Sequence, residues 1–353
     1  MRVILPNPRG FCAGVQMAVD VVDSVVALFP DSDVYVYHEI VHNRHVVDRF
    51  RSRNVTFVER IEDIPRGSVV VFSAHGIPPS VRQAAAEREL TAIDATCPLV
   101  TKVHSAATRF SRLGYQILLV GHADHQEIIG TRGEAPDDTI VVETAEQVRT
   151  LEVRDEDKLT YLTQTTLSTD DAAVIVNALR RRFPNLHEPS SSTICYATTN
   201  RQHAVRQIAP EVDVTLVVGS RNSSNSVRLT EIAAAAGAPG YLIDDATEID
   251  HSWFPRGGDS AVLVTAGASA PEDLVAGVCR SLLDRYGGQL EQWDVMDEDV
   301  EFRLPGALRK IILQRGEDAR SGSVVIGPPE IDERSYGAVP LTVSARSEPP
   351  KAI

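Results

Sequence analysis

The sequence predicts an α/β protein made of three similar parallel-sheet units that close around a shared centre. Three observations predict it. Short apolar runs alternate with helical patterns along most of the chain, which is the grammar of strand–helix–strand units with parallel sheets. The apolar runs end repeatedly in Gly, Ser, Thr, Asn and His, and ligands of open α/β sheets bind at the carboxyl ends of strands. Cys12, Cys97 and Cys195 are 85 and 98 residues apart, a spacing that recurs roughly once per unit of about 95 residues.

Arg2-Val3-Ile4-Leu5 is the first apolar run, and it leads through Asn7-Pro8-Arg9-Gly10 into a helix from about Gly14 to Leu28. Val34-Tyr35-Val36-Tyr37 combines β-branched and aromatic residues, which suit a strand, and precedes a helix near Arg44 to Arg51. Ser68 to Phe72 runs into Ser73-Ala74-His75-Gly76 and a helix from Ser80. A strand through Ile93 ends at Cys97, with a helix following to about Arg112. The order recurs with strands at Gln116–Val120, Leu159–Leu162, Val214–Val218 and Ala261–Val264. The units are 1–97, 98–194 and 195–290. An arm over 291–314, with a returning strand near Val300 to Leu304, packs back on the fold. The remainder, 315–353, is rich in Gly, Ser, Pro, Glu and Arg and reads as a disordered tail.

Composition narrows the function. A hydrophobic content of 43% supports sizeable cores, and the formal charge of −14 argues against nucleic acid or an anionic membrane as partner. No apolar run approaches the ~20 residues that span a bilayer. Four cysteines in a long chain without a signal-like start are not a disulfide framework. A reducing cytoplasm is the expected location.

Free cysteine is usually core filler, and Cys279, in Leu274-Val275-Ala276-Gly277-Val278-Cys279, is read that way. Cys12, Cys97 and Cys195 differ because Gly, Pro, Thr and Asp surround them at apparent turns. Three thiols from three units can meet, and three ligands on a four-iron cluster leave one iron open. A lone histidine is usually a surface or packed residue. His42, His75 and His125, however, all stand at strand-to-helix junctions, and imidazoles can both hold a phosphate and pass a proton.

Glu127 is the carboxylate chosen as proton source, against a plain reading as first-turn helix charge. Asp124 is its local competitor, with a plain reading as N-cap. Thr165 and Thr166 lead into Ser168-Thr169-Asp170-Asp171, which resembles a capping box, and Ser269-Ala270-Pro271-Glu272 is a cleaner one. Ser269 is thus read as a helix cap, an anion ligand or both. Ser223-Ser224-Asn225-Ser226 after Gly219 is the strongest anion cradle, because helix N-termini bind anions through free amides. With Lys and Arg scarce there, anion affinity is expected to fall as pH rises through the histidine range.

At these residues the chain closely resembles the 4-hydroxy-3-methylbut-2-enyl diphosphate reductase (IspH, LytB) family. The matching stretches are Asn7 to Val15, His42-Asn43, Ser73 to Gly76, Asp94 to Val100, Thr163 to Ser168, Cys195 to Gln202, Gly219 to Ser226 and Thr265 to Ser269, in family order. The resemblance implies a pseudo-threefold trefoil around one [4Fe-4S] cluster with Cys12, Cys97 and Cys195 as ligands and the fourth iron open. It implies that His42, His75, His125, Ser223, Asn225 and Ser269, with Ser224 beside them, bind a diphosphate. Thr165 and Glu127 would lie near the substrate hydroxyl, with His125 next to them in the relay. The implied reaction reduces an allylic diphosphate alcohol to isopentenyl and dimethylallyl diphosphate. Its electrons come from a one-electron donor such as a ferredoxin or flavodoxin, since no nicotinamide or flavin fingerprint is present. Two departures stand out: Gln126 replaces a usual Pro, and Met17 a usual basic residue. The competing readings are another three-cysteine cluster enzyme of the quinolinate synthase kind and an iron–sulfur redox sensor. The Thr-Gln-Thr-Thr and Ser-Ser-Asn motifs argue against the first. The three histidines and the hydroxyl-rich loops are superfluous for the second.

Overall fold

The computed structural model describes residues 1–314 and two strands beyond them, Ser323–Ile326 and Leu341–Ala345. The first stretch runs β1 (Arg2–Asn7), α1 (Ala13–Leu28), β2 (Val34–Tyr37), α2 (Arg44–Arg51), β3 (Val55–Val58), β4 (Val69–Phe72), α3 (Pro79–Glu87) and β5 (Thr91–Asp94). The middle runs α4 (Pro98–Arg112), β6 (Gln116–Val120), α5 (Gln126–Glu134), β7 (Thr139–Val142), α6 (Ala145–Arg149), β8 (Leu159–Thr163) and α7 (Thr169–Arg182). The last part runs α8 (Tyr196–Ile208), β9 (Val214–Val218), α9 (Ser224–Ala235), β10 (Gly240–Ile243), β11 (Ala261–Ala266), α10 (Glu272–Tyr286), β12 (Gln289–Asp294), β13 (Val300–Arg303), α11 (Gly306–Gln314), β14 (Ser323–Ile326) and β15 (Leu341–Ala345).

These strands form three all-parallel sheets, in the orders β3-β2-β4-β5, β7-β6-β8 and β10-β9-β11-β1-β12-β15. The central strands β4, β6, β9 and β11 are buried at every position. That explains their nearly continuous apolar runs, because helices cover both faces of a parallel sheet.

The sequential partition fails at the N-terminus. β1 belongs to the third sheet, where Ile4 stands between Leu263 of β11 and Glu291 of β12. Val3 and Ile4 are buried on opposite faces of that sheet, in two separate cores. A strand buried on both faces must lie inside a sheet, and parallel neighbours need not be neighbours in sequence. The expected boundary near 290 likewise cuts through β12.

The arm returns to the first unit, where Leu304, Leu308 and Ile312 join the core beneath α1 and β2. Burying side chains of this size contributes ~1.5–3 kcal/mol each, enough to hold a short helix down. Most of the tail expected over 315–353 lies outside the described residues. Two parts of it are strands rather than irregular chain: β14 pairs antiparallel with β13, and β15 extends the third sheet beside β12. Their Val-Val-Ile and Leu-Thr-Val stretches carry the β-branched residues that strands favour. Among the described residues no helix is long and apolar enough to cross a membrane.

Candidate active site

Cys12, Cys97 and Cys195 occupy the same local position in three different places. Each is the N-cap residue of a helix: α1, α4 and α8. A thiolate there faces unpaired amides and the positive end of the helix dipole. Cys195 shows the contact, its Sγ accepting from the Thr198 amide at 3.3 Å.

Each cysteine amide is tied to a different polar loop. The Cys12 amide donates to Ala268 O (3.3 Å), next to Ser269; that of Cys97 to Ala74 O (3.0 Å), next to His75; that of Cys195 to Thr165 O (3.0 Å). Backbone hydrogen bonds thus lock each thiol to a strand end that carries a polar side chain. All three thiols line one cavity of about 90 Å³, several times the ~30 Å³ share of one water.

Three thiols on one cavity are soft donors of the kind that hold iron–sulfur clusters. Among the described residues no three His, Cys, Asp or Glu converge tightly enough to hold a single ion; the thiols border a shared space instead. Gly14 makes room: a Cβ built there would stand 2.4 Å from Cys97 Sγ. Burial raises all three thiols, opposed at Cys12 by Arg201. Burial and the nearby Cys12 push Cys195 up to about 11. A bound cation reverses that balance, because a coordinating thiol is deprotonated outright.

On the same cavity the rings of His42 and His75 stack at 4.0 Å, with the His125 ring edge-on to both at 5.7 and 6.2 Å. Burial, then neighbouring imidazoles, hold His75 well below the usual imidazole range; burial also lowers His125. Two imidazolium charges 4 Å apart would repel by ~4 kcal/mol at an effective dielectric of 20. That repulsion opposes charging both rings of the stacked pair together.

The His125 tautomer follows from its cap. Nδ1 accepts from the Glu127 amide at 3.2 Å. A nitrogen that accepts carries no proton, so the neutral ring holds its proton on Nε2. His125 is the N-cap of α5, so Asp124 does not cap it. The helix forms with Gln126 at its first position, and Met17 lies buried on α1.

Glu127 is 5% exposed. Its Oε2 accepts from both the amide (2.9 Å) and the hydroxyl (2.7 Å) of Thr165. Two charge-assisted bonds fix the carboxylate against Thr165. Glu127 does stand in the first turn of α5, but its carboxylate is also committed to Thr165.

The hydroxyl side is built on α9 and the loop before α10. Ser223 caps α9, and Ser224 and Asn225 are its first residues. Ser269 does not cap α10, whose N-cap is Pro271. Its hydroxyl reaches His42 O (2.9 Å) and Ser223 Oγ (3.4 Å), so the capping-box reading gives way to one facing the cavity. Ser168 does cap α7, accepting from the Asp171 amide.

Both side-chain polar atoms of Asn225, and His75 Nδ1, are buried without a protein partner. Such groups cost ~1–3 kcal/mol each unless a ligand satisfies them. Free amides, hydroxyls and imidazoles without Lys or Arg on the cavity wall form an anion site of neutral donors.

The residues expected as metal ligands, diphosphate binders and proton relay all line this cavity: Cys12, Cys97 and Cys195; His42, His75 and His125; Glu127 and Thr165; Ser223, Ser224, Asn225 and Ser269. Cys279 is apart, fully buried in the core between β11 and α10. Sequence reasoning missed Arg201, Tyr196 and Glu39. The Arg201 side chain is fully buried, paired with Glu298 at 2.9 Å, and donates to Gly10 O (3.0 Å) and Phe11 O (3.2 Å) just before Cys12. The Tyr196 hydroxyl accepts from the Ala13 amide at 3.3 Å. Both stitch the Cys195 helix to the Cys12 loop, and only their place in quoted motifs hinted at it.

This architecture has known relatives. The LytB protein family profile matches residues 3–283. A protein of Acidothermus cellulolyticus named 4-hydroxy-3-methylbut-2-enyl diphosphate reductase is 50% identical over 317 residues, 90% of this chain and 92% of its own length. One of the same name from Mycobacterium ulcerans is 52% identical over 309 residues, 87% of this chain and 92% of its own. The solved E-1-hydroxy-2-methyl-but-2-enyl-4-diphosphate reductase of Plasmodium falciparum superposes with a TM-score of 0.86 at 37% identity, covering 90% of this chain and 99% of that one. A second solved structure, described as the (E)-4-hydroxy-3-methyl-but-2-enyl diphosphate reductase that ends the non-mevalonate pathway, gives 0.58 at 33%, covering 80% of this chain and all of that one. With fold, profile and nearly full-length identity in agreement, this chain belongs to the LytB protein family.

Proposed function

We infer that the protein reduces (E)-4-hydroxy-3-methylbut-2-enyl diphosphate to isopentenyl and dimethylallyl diphosphate, the last step of the methylerythritol phosphate (non-mevalonate) isoprenoid pathway. The observation that carries this is one cavity lined by three N-capping thiols on one side and by neutral anion donors on the other. In this reading the three units form a trefoil about a [4Fe-4S] cluster held by Cys12, Cys97 and Cys195. When bound, that cluster would supply electrons singly and Lewis acidity toward the substrate oxygen.

The chain's own residues do the rest. Ser223, Ser224, Asn225 and Ser269 bind diphosphate oxygens through hydroxyls, an amide and the free N-terminus of α9. His125 donates Nε2–H, and His42 and His75 close the remaining side. Glu127 enters the cycle as the protonated acid: the Thr165 hydroxyl gives its proton to the leaving oxygen and takes one from Glu127 along their 2.7 Å hydrogen bond, leaving the carboxylate that solvent reprotonates before the next turnover. The balance is two electrons and two protons per substrate: the C–O bond breaks, water leaves, and one C–H bond forms at either allylic end. In this reading the substrate's own diphosphate delivers the second proton. The electrons come from a ferredoxin- or flavodoxin-like donor. We place the enzyme in the cytoplasm, where free thiols stay reduced.

The test is an anaerobic assay with the allylic diphosphate and a one-electron reductant. Formation of the two isomeric products is the expected result; their absence from protein with a full cluster overturns the reading.

A further inference from the structure

We propose that Glu39, held by Asn222 across the seam between the first and third units, is a positioning residue that makes His42 the one imidazole of the trio to carry positive charge against a bound diphosphate. This rests on the cavity being the diphosphate site.

The three imidazoles are not equivalent. His125 Nδ1 already accepts an amide proton, so a second ring proton would break that bond. His75 Nδ1 is buried with no protein partner, and its ring stacks on His42 at 4.0 Å. His42 alone of the trio has a carboxylate at hydrogen-bond distance, Glu39 Oε2 at 3.2 Å from Nδ1. With Nδ1–H on that carboxylate, His42 offers Nε2 to the ligand, and a proton there makes the ring a cationic donor. The carboxylate offsets the charge left on the ring.

Glu39 is itself fixed. Its Oε2 accepts from Asn222 Nδ2 at 2.7 Å, one residue before the cap of α9. The bond therefore joins the imidazole side of the cavity to its hydroxyl side, and the Ser269 hydroxyl on His42 O does so a second time. Consistent with these contacts, the His42 bond lowers the Glu39 carboxyl despite its partial burial.

Other charged groups near His42 have partners of their own: His45 pairs with Asp245 at 3.0 Å, and the Glu127 carboxylate on the same cavity is held by Thr165. His75 stacks on it and His125 meets it edge-on. His38, next along the chain from Glu39, is paired with Glu59 at 2.6 Å. Arg51 acts on Glu39 only at longer range. Arg44 turns to Asp244 and Asp245, each at 3.6 Å.

The experiment measures inorganic pyrophosphate as a competitive inhibitor of the cluster-loaded enzyme from pH 6 to 9. It compares wild type, Glu39→Gln, His42→Gln and the double variant. Gln keeps the shape at position 39 and can still accept from Asn222, so only the charge is removed. The ratio of inhibition constants cancels the ligand's own titration. For Glu39→Gln that ratio should be smallest at pH 6 and rise with pH to a plateau of about tenfold, the limit that a one-unit change in midpoint sets. The substrate should show the same trend, with the loss carried mainly by KM. In the His42→Gln background the Glu39→Gln effect should vanish. A ratio that does not vary with pH, or an effect that survives without His42, overturns the proposal. A different failure, no competition by pyrophosphate in wild type, overturns the site reading and the proposal with it.

Discussion

Replacing Gly14 by alanine puts a methyl group where a sulfur already sits. Gly14 lies in the first turn of α1, and its φ is not in the left-handed region, so nothing in its backbone demands glycine. By helix propensity alone, alanine would stabilise such a position by up to ~1 kcal/mol. The packing says the opposite. The new Cβ would meet Cys97 Sγ at 2.4 Å, where ordinary contact begins at 3.4 Å. The sulfur must therefore retreat by about 1 Å, several times the ~0.2 Å tolerance of a metal–ligand distance. We expect Gly14→Ala to fold but to lose most of its iron, sulfide and visible absorbance after anaerobic reconstitution. Gly277 on α10 is the internal control, because nothing lies within 4 Å of a Cβ there. Gly277→Ala should keep its cluster and raise stability by ~0.5–1 kcal/mol. Full iron and wild-type turnover in Gly14→Ala would refute the placement of Cys97.

Glu127→Gln should keep the cluster but lower turnover by ~10²–10⁴, with a much smaller change in KM; steady-state kinetics decides, and near-normal turnover rejects the relay. Cys12→Ser, Cys97→Ser and Cys195→Ser should each lose cluster absorbance while Cys279→Ser retains it, and equal loss in all four would contradict the assignment. Glu298→Ala leaves Arg201 buried without its carboxylate and should cost ~3–5 kcal/mol, read from the urea midpoint. Stability should also fall on acidification. His75 and His125 titrate lower in the fold than their unfolded value near 6.5, so below that pH the unfolded chain takes up protons first. Stability present above about pH 6.5 is then lost as pH falls toward the folded values, at up to ~1.4 kcal/mol per pH unit for each histidine. His75→Gln should flatten that slope, and an equal slope in both proteins would disprove the neutral buried ring.

The sequence by itself determined the α/β grammar, the polar strand ends and the contrast between Cys12, Cys97 and Cys195 at turns and Cys279 in an apolar helix. These are local signals. Apolar periodicity writes strands and helices into short windows, and Gly, Ser, Thr and Asn mark where the chain leaves a strand. Tertiary structure alone decided the rest. β1 reads like the start of a first unit, but completes the third sheet, because parallel pairing joins strands far apart in sequence. Ser269 has a capping-box pattern, yet its hydroxyl turns to His42 and Ser223, because a neighbouring loop competes for it. The histidines look alike in sequence. Burial, stacking and the partner of each Nδ1 make one a neutral Nε2 donor and give another a carboxylate. Gly14 looks dispensable until Cys97, 83 residues on, brings its sulfur to the same spot. Local chain chemistry chooses elements and turns; the direction and charge of a side chain in a closed cavity depend on atoms that only folding brings near.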